Sequence, residues 1–181
     1  MSEQINEITW LKVEDHLRTT LSGDLQKNAL DYIAYMKVSG IILDSKPPYS
    51  YDSPDGKVYN YNFGSDIRAK AGLFIVLVIE PGERGWTICM GSSDNNLSGS
   101  EYQNRAKFPA DEKVKEFAWE HARICQNFRT NGEECGCGRQ PGKRITLFGK
   151  EIDNSCDGNI EINNPHGETL ELTKRLTDLW K

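Results

Sequence analysis

Residues Leu73 to Ile79 read Leu-Phe-Ile-Val-Leu-Val-Ile, an unbroken apolar run rich in β-branched side chains. A short run of this kind, without polar alternation, predicts a strand covered on both faces. Glu80-Pro81-Gly82-Glu83-Arg84-Gly85 follows as a turn-forming string, and Trp86 to Met90 returns as a second strand. Upstream, Val58 to Phe63 alternates, with Tyr59, Tyr61 and Phe63 on one side and Asn60 and Asn62 on the other. That spacing predicts a strand with one aromatic face. The chain therefore has to build an antiparallel sheet and find something to lay against it.

Helical periodicity supplies the covering layer. Ile8, Leu11, His16, Leu17 and Leu21 fall roughly along one face of a first helix. Between Leu25 and Ser39 a second helix places Leu30, Ile33, Ala34 and Val38 on one stripe, and Gly40 is its natural stop. Pro47-Pro48 and Ser53-Pro54-Asp55-Gly56 mark a loop and a turn. After a polar Ser/Asn/Gly stretch from Gly91 to Asn104, Pro109-Ala110-Asp111-Glu112 opens a third helix expected to reach about Phe128. Its inner face would carry Val114, Phe117, Ala118, His121, Ile124, Cys125 and Phe128. A last helix is expected from Asn164-Pro165 onward, a cap residue followed by proline, with Leu172, Leu176 and Leu179 facing inward.

The resulting class is α+β: an antiparallel sheet packed against helices. Residues 1–128 form the α+β part. Residues 129–181 form a cysteine-rich, metal-stabilised loop module with a closing helix packed on it, the two parts making one compact unit. A chain of 181 residues has room for one substantial core of this kind. The net charge of −5 and pI near 5.3 give no electrostatic reason to expect nucleic-acid binding. The opening MSEQINEITW lacks the basic-then-apolar layout of a signal peptide, and no apolar run approaches the roughly 20 residues of a membrane span. No membrane association and a cytoplasmic location are the expectations, and thiols there are kept reduced.

Four of the five cysteines fall in the last third, as Cys125, Cys135, Cys137 and Cys156. An odd total argues against a fully paired disulfide framework. Three chain segments could bring these four sulfurs to one structural zinc ion, which takes four ligands in a closed tetrahedron. Gly132, Gly136 and Gly138 would allow the tight backbone such a site needs, and Arg139, Lys143, Arg144 and Lys150 could offset its negative charge. The competing readings are thiol redox chemistry by Cys135 and Cys137, and incidental cysteines with Cys125 as a small core residue. A single Cys-x-Cys is less specific than paired Cys-x-x-Cys knuckles. His121, one helical turn before Cys125, is a reserve ligand; Cys89, alone in a strand, reads as core. His16 and His166 have no sequence companions that suggest chemistry.

The elements Phe117-Ala118-Trp119 to Cys125, Cys135-Gly-Cys137, Pro141-Gly-Lys-Arg144, Phe148-Gly-Lys-Glu151, Cys156 and the Leu170–Leu179 helix follow one another in order. This last third resembles a group of uncharacterised bacterial proteins that share that succession. The resemblance implies that the cysteines belong to one recurring module and brings no activity with it.

Catalytic signatures are absent: no G-x-S-x-G elbow, P-loop, dinucleotide fingerprint or H-E-x-x-H occurs. A four-thiolate zinc would have no open position for water. Tyr59, Tyr61 and Phe63, with Trp86 on the same sheet, instead outline an aromatic surface that could line a pocket for a small apolar or aromatic ligand, although aromatics on one face more often pack a core. The expectation is a zinc-stabilised small-molecule or protein binding module, with a thiol-dependent redox enzyme as the alternative.

Overall fold

Apolar side chains at positions 10, 13, 17 and 21 fix how the chain begins. In the computed structural model, which describes residues 2–44, 47–63, 73–92, 111–124 and 143–179, helix α1 spans Ser2–Thr20. It buries Trp10, Val13 and Leu17, and Leu21 continues the stripe just past its end. The buried face is thus turned by about one position from the expected one, leaving Leu11 51% exposed. Trp10 decides the rotation, because the indole brings more apolar area than Leu11. Helix α2 (Gly23–Val38) buries Ala29, Tyr32, Ile33 and Met36, while Val38 is exposed. Gly40 ends it as expected. Its φ of +71° lets the Ile41 N–H reach the Met36 carbonyl and its own N–H reach the Lys37 carbonyl, each at 3.1 Å.

Among the described residues, seven strands form one antiparallel sheet: β1 (Tyr49–Ser53), β2 (Gly56–Phe63), β3 (Leu73–Ile79), β4 (Trp86–Ser92), β5 (Ala122–Ile124), β6 (Lys143–Leu147) and β7 (Lys150–Asn163). The order is β1-β2-β3-β4-β7-β5, and β6 also pairs with β7. Register aligns the core side chains in three rows: Phe63–Ile75–Met90–Ile160, Tyr61–Leu77–Ile88–Ile162 and Tyr59–Ile79–Trp86. All of these except the half-buried Tyr59 are buried. Val76 and Val78, on the opposite face of β3, are only half-buried. The expectation of full cover on both faces is therefore met on one.

Helices α3 (Glu112–Glu120) and α4 (Gly167–Asp178) complete the layer. Asp111 caps α3 by accepting the Val114 N–H at 3.0 Å. In α4, Leu170, Leu172 and Leu176 are buried in the same cluster as α1 and α2. Thr177 Oγ1 donates to the Thr173 carbonyl at 2.8 Å, so the buried Tyr32 hydroxyl, 2.7 Å away, must donate to Thr177. Replacing Tyr32 by phenylalanine removes one buried bond and little volume. The expected loss is about 1 kcal/mol, read as a lower urea midpoint at unchanged slope. The ion pair of Lys174 with Asp31 at 2.8 Å and that of Arg175 with Asp111 tie α4 to its neighbours. Their acidic partners are half-exposed, so each contributes about 0–1 kcal/mol.

Three expectations for the last third change. The third helix stops at Glu120 instead of Phe128, and the chain turns into β5. The segment expected to be loop-rich up to Asn163 contains β6 and the long β7, which pairs with β4. The sheet therefore continues across the expected boundary at residue 128/129. Asn164 does not cap the last helix, whose N-cap is His166. Its side chain closes the β3–β4 turn: Oδ1 accepts the Trp86 N–H at 2.8 Å and Nδ2 donates to the Arg84 carbonyl at 3.0 Å. This clip needs glycine between them, because a Cβ on Gly85 (φ +69°) would lie 2.3 Å from Asn164 Oδ1. Gly85→Ala combines positive-φ strain with the loss of two bonds, and should lower stability by about 2 kcal/mol or more in chemical unfolding.

Candidate functional site

The β7 strand organises the cysteine-bearing region. Its Ile160 pairs with Met90 of β4 and with Ala122 of β5, and its Ser155 pairs with Ile124 of β5 and with Lys143 of β6. A strand residue has one neighbour on each side, so β5 runs along one side of β7, with β4 and β6 along the other. Between its two matched pairs β5 advances from 122 to 124 while β7 covers 160 to 155, which requires a bulge. A second irregularity between Lys143 and Ile145 of β6 lies opposite Asn154, whose φ is +58°. Asparagine is among the few residues that take such an angle readily.

Cys125, Cys135 and Cys137 lie outside the described residues, and Cys156 lies within β7. The helix expected to carry Cys125 in its last turn ends at Glu120. His121 ends α3 as its C-cap, with φ −100° and ψ 7°. Its Nδ1 is 2.8 Å from the Phe117 carbonyl and its ring packs at a tilt against Phe117, with centroids 4.3 Å apart. Since a carbonyl only accepts, Nδ1 carries a proton. The His121 carbonyl then accepts the Glu161 N–H at 2.9 Å, which starts β5 along β7. Ile124, the residue before Cys125, is paired with Ser155, the residue before Cys156. Lys143, which follows the segment bearing Cys135 and Cys137, is paired with the same Ser155. Among the described residues, no three His, Cys, Asp or Glu side chains gather in a way that could hold a metal.

Two of the expected charge-balancing residues have other partners. Arg144 Nε donates to Asp153 at 2.5 Å, and Lys150 Nζ sits 5.0 Å above the Trp119 ring. Cys89 is half-buried on the sheet face opposite the core rows. Burial first, and the Glu161 carboxylate second, push its thiol up to about 11, against a smaller opposing effect of Arg123. A thiol so far from ionisation at neutral pH is a poor nucleophile.

The aromatic residues share the expected face, but that face is filled. Trp10 packs on Phe63 at 5.5 Å, Tyr32 on Trp86 at 5.7 Å, and His16 lies flat against Tyr59 at 3.9 Å. Tyr61, Phe63 and Trp86 are core residues. Among the described residues, the exposed tyrosines are Tyr49 and Tyr51 of β1, at 67% and 43% exposure with ring centroids 6.0 Å apart. Register places them with Asn60 and Val58, on the opposite side of the sheet. The alternation Tyr-Ser-Tyr before a Pro-Asp-Gly turn was the signal for β1. No local signal marks His16, whose companions are more than forty residues away. Half-burial, followed by the positive charges of Lys12 and Lys57, holds its imidazole below the usual range, while Asp15 acts the other way.

Compared with known family models, curated proteins and solved structures, the chain matches none. None of its described helices is long and apolar enough to cross a membrane.

Proposed function

We propose that this chain is a zinc-stabilised binding module, with Cys125, Cys135, Cys137 and Cys156 holding one structural zinc ion. The observation that supports the reading is the double pairing of Ser155. It brings the residue before Cys125, the residue before Cys156 and the end of the segment bearing Cys135 and Cys137 onto one position of β7. Adjacent Cα atoms are about 3.8 Å apart, and paired Cα atoms about 4.5–5.5 Å. Ile124 and Ser155, the residues that precede Cys125 and Cys156, are therefore direct cross-strand neighbours. When bound, zinc would cross-link these segments and add its binding energy to folding. Four thiolates close its coordination, so the role of the metal is architectural.

The binding surface is sought away from the core rows, because the helices occupy the aromatic face. Tyr49 and Tyr51 are the exposed aromatic pair, and tyrosines of this kind are enriched where protein partners dock. The second reading, a thiol redox enzyme using Cys135 and Cys137, requires the same segment to be free of metal. Metal analysis of untagged protein separates the two. About one zinc per chain is the expected result; zinc-free protein with a labile Cys135–Cys137 bond rejects the first reading in favour of the second.

A further inference from the structure

The seam between α1 and β2 has an imidazole at its centre. His16 stacks on Tyr59 with planes 26° apart, and its Nδ1 lies 2.5 Å from the Tyr61 hydroxyl. Tyr61 is buried, and among the described residues its hydroxyl has one further acceptor within reach, the Lys12 carbonyl at 3.5 Å. We propose that His16 is an acid-sensitive latch, fastening α1 to β2 while its ring is neutral and loosening that contact when the ring takes a proton.

The chemistry follows from what each form of the ring can accept. A neutral imidazole receives the tyrosine O–H at Nδ1. An imidazolium donates from both nitrogens and accepts at neither. The phenolic proton must then turn to the Lys12 carbonyl, at the outer limit of hydrogen bonding. Among the described residues, the charged groups that act on the ring are Lys12 and Asp15 on α1 and Lys57 on β2. Tyr59 and Tyr61 are the aromatic side chains in contact with it. Half-burial and both lysines oppose a new positive charge, and Asp15 alone favours it.

The sign of the pH effect is fixed by this. With α1 released, the histidine titrates near its ordinary value of about 6.5. On the closed seam it titrates lower, so the released state binds more protons as pH falls. The contribution of the seam is fully present above about 6.5 and is lost as pH falls from there towards the closed-state value. Each unit of depression is a tenfold change in the opening equilibrium. Opening uncovers Phe63 and Tyr61, since α1 lays Trp10 on the first and His16 on the second. The latch is independent of the metal reading.

The test is a proton titration of His16 by NMR in the full chain, together with amide exchange of Val13 and Leu17 corrected for intrinsic rates, between pH 8 and 5. The expected result is a midpoint below 6.5 and an opening constant for α1 that rises on acidification by about tenfold per unit of depression. His16→Asn places a non-titrating oxygen near the Nδ1 position and should abolish the pH dependence. A midpoint at or above 6.5, or equal acid opening in His16→Asn, overturns the proposal. Should that variant not fold, Tyr61→Phe decides: loss of the bond to the neutral ring should raise the midpoint, and an unchanged midpoint overturns the latch.

Discussion

Serine in place of Cys125, Cys135, Cys137 or Cys156 is expected to lower zinc occupancy and melting temperature together, by similar amounts at all four positions. A structural zinc contributes on the order of 10–16 kcal/mol of apparent binding energy in small domains, all of it to the folded state. Loss of one thiolate from a four-thiolate site should forfeit several kcal/mol of that. For a chain of this size, at about 2–4 °C per kcal/mol, the shift is on the order of 10 °C. Cys89→Ser is the internal control, because Cys89 lies in β4 and pairs with Glu161 of β7, away from Ser155. It should leave occupancy unchanged. Differential scanning calorimetry with metal analysis on the five variants gives the answer. Unchanged occupancy in Cys156→Ser would remove that residue from the site and with it the reason for joining β7 to the metal.

The second large effect is at Trp86. It is fully buried, packs at a tilt against Tyr32, and its Nε1 has no hydrogen-bond partner among the described residues. Trp86→Ala opens a cavity where the β3–β4 turn meets the helical layer, and should reduce unfolding free energy by about 3–5 kcal/mol. Trp86→Phe behaves differently. It loses part of the ring, but it also removes a buried N–H whose lack of a partner costs about 1–3 kcal/mol. These terms oppose one another, so the phenylalanine variant should lose less than about 1.5 kcal/mol. Urea unfolding of both variants checks the order. A phenylalanine variant as unstable as the alanine one would show that the indole N–H is satisfied.

Elements held by local chemistry were legible in the sequence. Gly40 stops α2, Glu80 to Gly85 turns β3 into β4, and the alternation from Val58 to Phe63 is β2. What was not legible depends on partners distant in the chain. Nothing near His121 says that the chain should leave the helix, because β5 exists through pairing with β7, more than thirty residues later. The apolar pattern of β7 is broken by the irregularity at Asn154 and by the one between Ser155 and Ile160, so its alternation does not survive as a period of two. Asn164 reads locally as a cap, but its amide is used by the turn before Trp86. The same holds for the candidate site. The cysteine spacing could be read in one dimension; the sharing of Ser155 by β5 and β6 could not.

The place of β7 beside β4 has a consequence for how the chain comes off the ribosome. Synthesis delivers α1, α2 and the first four strands long before residues 160–163, which complete the inner side of the sheet against Thr87 to Met90. Until those residues clear the exit tunnel, β4 presents an open edge flanked by Ile88 and Met90, both of which are fully buried once the sheet closes. Closure at such sequence separation is intrinsically slow, and an unpaired apolar edge is where a nascent chain associates with its neighbours. Closure of the sheet thus waits for β7, and a chain halted before it should need a chaperone to stay dispersed.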